Sequence, residues 1–310
     1  MATEPTITAP YVAAEMRPIY RMNSKVLAGY WALTKPEVNF LIAITVFAAF
    51  CLAQPTLSEG FPFFRLIHTL LGTLLVASGS GALNQFIERR FDAQMRRTAR
   101  RPLVVGSIVP FHGLWFGILL SGGGALYLAL AVNRLSSLLA FLTLISYLVL
   151  YTPLKRKTAL CTLVGALPGA MPALIGWAAA SGSLSLGAWL LFAILYLWQV
   201  PHFMAIAWIY REDYDRAGYM VLPRGKRRNS FIAWQSVLPL LVLIPLSLTP
   251  TLLGYAGRAY LIGALLLSFG FLYCGARFVI HRSNAIARQL LLASIIYLPS
   301  VFLLMVLDKK

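Results

Sequence analysis

Asn84, Glu88 and Asp92 stand four residues apart, and the chain beyond them reads Met95-Arg96-Arg97-Thr98-Ala99-Arg100-Arg101-Pro102-Leu103. A four-residue step advances a helix by about 40°, so the three oxygen-bearing side chains share one face over roughly two turns. Such a face suits a hard divalent cation, and arginines beside it suit a phosphate. A solvated helix end carrying a few charges is the competing reading of the spacing taken alone.

A second polar stretch, Arg211-Glu212-Asp213-Tyr214-Asp215-Arg216, also mixes carboxylates with arginines, and five of the ten acidic residues fall in these two places. Carboxylates are disfavoured toward lipid by about 2.5–3.5 kcal/mol each near a bilayer centre, so they must face water, protein or an ion. Two acidic clusters on one side suit one or two Mg2+ ions, with neighbouring arginines and lysines on the remaining phosphate oxygens. Mutual neutralisation by those same arginines is the alternative. Between the clusters lies Tyr151-Thr152-Pro153-Leu154-Lys155-Arg156-Lys157. There Lys155 can reach a diphosphate and Tyr151 can donate a hydrogen bond to it, although a basic helix terminus needs no such role.

Two further stretches stand out. Gly165 through Trp177 mixes prolines and glycines into apolar sequence, which is tolerated where backbone lines a cavity or packs closely on another helix. In Trp198-Gln199-Val200-Pro201-His202-Phe203 the histidine sits in apolar surroundings. It can bind a haem iron, accept a proton or hydrogen-bond a carbonyl, and a satisfied structural histidine is the competing reading.

The elements that must position these residues are membrane helices. Hydrophobic residues make up 59% of the 310 and charged residues 12%, with a mean hydropathy of +0.74, which excludes an ordinary soluble domain. Apolar runs of bilayer length fall at about 38–54, 66–90, 111–132, 136–152, 160–181, 187–208, 231–248, 257–280 and 288–307, predicting an all-α polytopic protein of about nine transmembrane helices. No linker divides them, so a short cytoplasmic extension at 1–27 and one membrane domain at 28–310 are expected. Of the 27 lysines and arginines, all but Arg65, Arg134, Arg258, Lys309 and Lys310 fall on the side of the first segment's amino end. The formal charge of +17 is therefore a topology signal rather than a nucleic-acid footprint, and it predicts a cytoplasmic N-terminus and a C-terminus across the membrane. Cys51, Cys161 and Cys274 are scattered without CxxC or Cys/His pairing and read as small apolar core residues.

Laid together, these stretches resemble the protoheme IX farnesyltransferase (haem O synthase) family of UbiA-type intramembrane prenyltransferases over roughly 28–305. The resemblance rests on Leu33 through Val38, Asn84 through Leu103, Tyr151 through Lys155, Gly165 through Trp177 and Trp198 through Gly218. It implies a UbiA-like bundle with a cavity near the cytoplasmic face and transfer of farnesyl from farnesyl diphosphate to a vinyl group of haem b, with Mg2+ as cofactor. Asn84, Glu88 and Asp92 fall on the first acidic motif, Glu88 standing where the pattern normally has aspartate. Glu212 and Asp213 fall on the second acidic region. These five are the expected metal positions, and Asn84, Glu88, Asp92 and Lys155 the expected catalytic set. Arg97, Arg101, Tyr151, Lys155 and Arg211 are expected at the diphosphate, and Trp198 and His202 at the haem. The implied setting is a bacterial inner membrane, with membrane lipid around the chain and a downstream haem-modifying or oxidase-assembly protein as partner. Prenylation of an aromatic acid is the rival within the superfamily. A transporter is the rival outside it, but its carboxylates belong near the bilayer midplane rather than at one edge.

Overall fold

The computed structural model describes residues 24–55 and 60–310. The extension expected at 1–27 lies outside the described residues except for 24–27, which open the first helix. Among the described residues nine helices are long and apolar enough to cross a bilayer. Their bounds fall within a few residues of the apolar runs, because burial in lipid and exposure at the loops follow the same hydropathy.

A short helix, α1 (Ser24–Leu33), precedes α2 (Pro36–Ala53), α3 (Phe63–Asp92) and α4 (Pro110–Ala131). The fourth span is compound: α5 (Arg134–Ile145) passes through a π-helical turn (Ser146–Tyr151) into α6 (Thr152–Leu154). Then come α7 (Cys161–Ser181), α8 (Leu186–Ile209), the short α9 (Arg211–Arg216), α10 (Arg227–Leu252), α11 (Arg258–His281) and α12 (Asn284–Leu307). Successive spans pack as neighbours, and α12 returns against α2 and α8 to close the ring, while α2 also packs on α7.

Hydrophobicity does not select helix partners in lipid, so close packing does. On α3 and α4 the backbones touch: a Cβ at Gly79 would stand 2.5 Å from Ser121 N, and one at Gly124 would stand 2.8 Å from Val76 N. This contact holds α3 upright beneath its polar end.

Two terminal devices fix the ends of the bundle. Proline disfavours the right-handed helical region for the residue before it. Lys35, preceding Pro36, accordingly takes a left-handed φ of 54° and breaks the chain between α1 and α2. At the other end Lys309 donates to the carbonyls of Cys51 and Gln54, closing the open carbonyls at the α2 C-terminus. Asp308 Oδ2 accepts from Tyr260 N at 2.7 Å at the start of α11. The C-terminus therefore lies at the end of the bundle opposite Lys35.

Candidate active site

The last two turns of α3 carry Asn84, Glu88 and Asp92 on one face, as the four-residue spacing requires, and they turn inward: their exposures are 2%, 6% and 1%. Each meets a cation from a different element. Lys35 Nζ donates to Asn84 Oδ1 at 3.0 Å. Lys155 Nζ lies 2.8 Å from Glu88 Oε1 and 3.1 Å from Oε2. Arg101 from the loop after α3 reaches Asp92 Oδ2 at 2.6 Å.

The π-helical turn sets the opposite wall. A turn of this kind carries an extra residue and shifts the register of the residues after it. It brings the Tyr147 and Tyr151 rings to 5.5 Å of one another, places Lys155 Nζ 4.6 Å from the Tyr151 ring, and lets Thr152 Oγ1 accept from Asn84 Nδ2 at 3.3 Å. Gly165 on α7 leaves the room for Tyr151, since a Cβ there would stand 2.5 Å from the ring.

The loop after α8 closes the site. Asp213 Oδ2 accepts from Arg97 N at 3.2 Å and its Oδ1 pairs with Arg216 at 3.1 Å. Arg97 also donates to Tyr214 at 3.2 Å and stacks 4.4 Å from the Tyr210 ring. Met220 N donates to the Lys155 carbonyl at 2.7 Å. The two acidic regions thus share one edge of the bundle.

Burial alone would push the Lys155 ammonium down, but the Tyr151 oxygen and the Glu88 carboxylate beside it hold it well above the ordinary lysine value. Burial, followed by the field of Glu88, pushes the Tyr219 phenol up, so Tyr219 keeps its proton and remains a donor.

Two sequence candidates lie elsewhere. Glu212 is turned outward, with 75% of its side chain exposed and only Arg211 near it at 3.8 Å. Arg211 itself donates to Trp208 O at 2.8 Å and to Asn284 Oδ1 at 2.7 Å on α12, so it braces α8 against α12 rather than facing the carboxylates. Conversely, Lys35 and Tyr219 belong to the site although no local pattern singles them out. Lys35 reads as one more charge at a helix start, and its only signal is the Lys-Pro-Glu block at 35–37. Tyr219 is 3% exposed and its hydroxyl faces the Glu88 carboxylate.

Among the described residues no three His, Cys, Asp or Glu side chains are grouped closely enough to hold a metal ion, because the carboxylates are drawn onto their own cations. The donor set nevertheless fits Mg2+: an amide and two carboxylates share the inward face of α3, and Asp92 Oδ1 is buried without a partner. A buried carboxylate oxygen left open is costly, and a hard cation is the ligand that satisfies it.

Beside these residues, and joined to them through Lys35, a cavity of about 450 Å3 lies between α2, α3, α5, α7 and α8; Asn84, Glu88, Asp92 and Lys155 stand outside its lining. Lys35 and Tyr151 line its polar end, and Trp198 and His202 line it further along the chain of α8. The Trp198 and His202 rings stack at 5.1 Å, and Trp198 Nε1 donates to Ser294 O at 2.7 Å.

The UbiA prenyltransferase family model matches residues 42–298. The protoheme IX farnesyltransferase of Solibacter usitatus is 48% identical over 286 residues, covering 90% of this chain and 98% of that one. The protein of that name from Koribacter versatilis is 44% identical over 297 residues, covering 92% and 94%. Among solved structures, a digeranylgeranylglyceryl phosphate synthase superposes with a TM-score of 0.74 at 17% identity, over 92% of this chain and 98% of that one. A UbiA homolog from Archaeoglobus fulgidus bound to DMAPP and Mg2+ gives 0.61 at 16% identity, over 89% and 98%.

Proposed function

The chain belongs to the UbiA prenyltransferase family, and we propose that it transfers farnesyl from farnesyl diphosphate to a vinyl group of haem b, giving haem O and diphosphate. The observation that carries this is a single cavity with Lys35 and Tyr151 at one end and Trp198 and His202 along its wall. An anionic head and a flat apolar acceptor thereby have adjoining places.

Lys155, Arg101 and Lys35 lie where charge grows on the departing diphosphate, and fixed cations in a site of low dielectric stabilise it strongly. Arg97 is pinned by Tyr210, Tyr214 and its own backbone bond to Asp213, so its charge is held in place before substrate arrives. Asp92 and Asn84 would hold Mg2+, with Glu88 and Asp213 available from their ion pairs, and the metal would supply further neutralisation of the leaving group. Tyr151 walls the cavity at the reacting end. The tail, of about 15 carbons, gains an upper estimate on the order of 10 kcal/mol from burial at about 0.8 kcal/mol per CH2. The indole of Trp198 and imidazole of His202 offer the porphyrin a flat surface.

The protein is integral to the membrane. For the membrane itself we propose the bacterial inner membrane, with the site at the cytoplasmic edge, on the bias of lysine and arginine toward that end. A downstream protein that accepts haem O is the partner this reaction calls for. Incubation of the purified chain with haem b and labelled farnesyl diphosphate tests the reading. Label in a haem product supports it, and label only in an aromatic acceptor overturns it.

A further inference from the structure

We propose that Gln199 and His202 hold the water molecule that completes the reaction and that His202 Nε2 takes its proton. This rests on the farnesyl transfer reading above. Haem O carries a hydroxyl that neither farnesyl diphosphate nor haem b brings, so a water must stand beside the vinyl group in an apolar cavity.

The two side chains lie three residues apart on α8, hence on one face, and both line the cavity. Gln199 Nε2 donates to Leu195 O at 3.1 Å and to Ala166 O at 3.5 Å. Both partners are carbonyls, which fixes the amide's orientation and leaves Oε1 as an acceptor. Gly169, which also lines the cavity, lies so near that oxygen that a Cβ there would overlap it.

His202 is fixed in the same sense. Ser294 Oγ lies 2.6 Å from Leu291 O and 2.7 Å from His202 Nδ1. A carbonyl has no hydrogen to offer, so the serine's one hydrogen goes to Leu291. The imidazole must then donate through Nδ1–H, and Nε2 carries a lone pair. Two acceptors three residues apart on one helix face suit a molecule that donates twice. Water does so; a phosphate, which only accepts, does not.

The step balances. The C1–O bond of farnesyl diphosphate breaks, its electron pair leaving with diphosphate. The vinyl π pair forms the new C–C bond to C1 and leaves the ring-side vinyl carbon positive. The water oxygen bonds to that carbon, one of its protons passes to His202 Nε2, and the imidazolium later releases it to bulk water. The iron neither gains nor loses an electron.

The test uses the full chain with haem b, farnesyl diphosphate, Mg2+ and isotopically labelled water, and reads haem products by mass and haem binding by absorption. Wild type is expected to carry the label in its hydroxyl. His202→Ala loses part of the flat surface under the porphyrin and is expected, per haem bound, to lose hydroxylated product on the order of a hundredfold. Its cation instead sheds a proton to give an alkene one water lighter. Gly169→Ala, which displaces the Gln199 amide, and Gln199→Leu are expected to raise the alkene fraction. Hydroxylated product within about threefold of wild type in His202→Ala would overturn the assignment. So would lost haem binding with an unchanged product ratio, the outcome of an iron ligand. Should His202→Ala not fold, an unchanged alkene fraction in both other variants overturns it. A wild type that makes neither haem product refutes the farnesyl transfer reading itself.

Discussion

Lys155 Nζ sits 2.8 Å from Glu88 Oε1, with side chains only 12% and 8% exposed. A buried cation and the central carboxylate of the α3 face are thus partners. Removing one member of a buried pair leaves the other uncompensated, at a cost of about 3–5 kcal/mol. Lys155→Met should therefore lower the melting temperature in detergent as well as turnover, and the double variant with Glu88→Gln should regain stability without activity. Unaltered melting in the single variant would show that the pair is not buried.

The Lys155 pKa is raised on folding. The stability this contributes is fully present below the unfolded value, about 10.4, and is lost as pH rises through the higher folded value. Between pH 7 and 9 the Lys155–Glu88 contribution should be flat. A double-mutant cycle of Lys155 and Glu88, followed by thermal melting across that range, checks it; a coupling energy that fades below pH 9 would contradict the raised pKa.

Asp92 Oδ1 is buried and open while Oδ2 is held by Arg101. Asp92→Asn keeps the shape and removes the charge. It should leave the protein folded and cut Mg2+-dependent turnover on the order of a hundredfold or more, the scale of losing one well-placed electrostatic stabiliser. Full activity over a Mg2+ titration would remove Asp92 from the metal site.

Asp213 is tied to Arg97 and Arg216 while its neighbour Glu212 faces outward. Exposed ion pairs are worth about 0–1 kcal/mol, so Glu212→Gln should change turnover by less than about fivefold and Asp213→Asn by far more. Equal losses would mean that the loop re-forms around substrate.

Asp308 caps the start of α11 through Tyr260 N, at the end remote from the site. Asp308→Ala should cost about 1 kcal/mol, visible as a lower melting temperature with turnover per folded molecule unchanged.

The membrane architecture was legible because a single quantity, hydropathy, governs both sequence and placement. The inward face of α3 was legible from the four-residue spacing of Asn84, Glu88 and Asp92. What escaped was pairing across elements. The rotation of α9 depends on the break at Tyr210, so adjacent residues Glu212 and Asp213 could not be told apart by type. Lys35 acts through a left-handed backbone and a contact with Asn84, 49 positions away, which no local pattern reports. The π-helical turn before Lys155 has no periodic signature at all.

The internal ion pairs make ligand binding an exchange of partners. Mg2+ arriving alone would find Asp92 Oδ1 open but could take Glu88 only by stranding Lys155. Diphosphate arriving alone would do the reverse. Only the two together return every charge to a counterion, so each ligand should raise the other's affinity by the same factor, as linkage requires. On the proposed function, the site would thereby disfavour bare metal and bare anion alike.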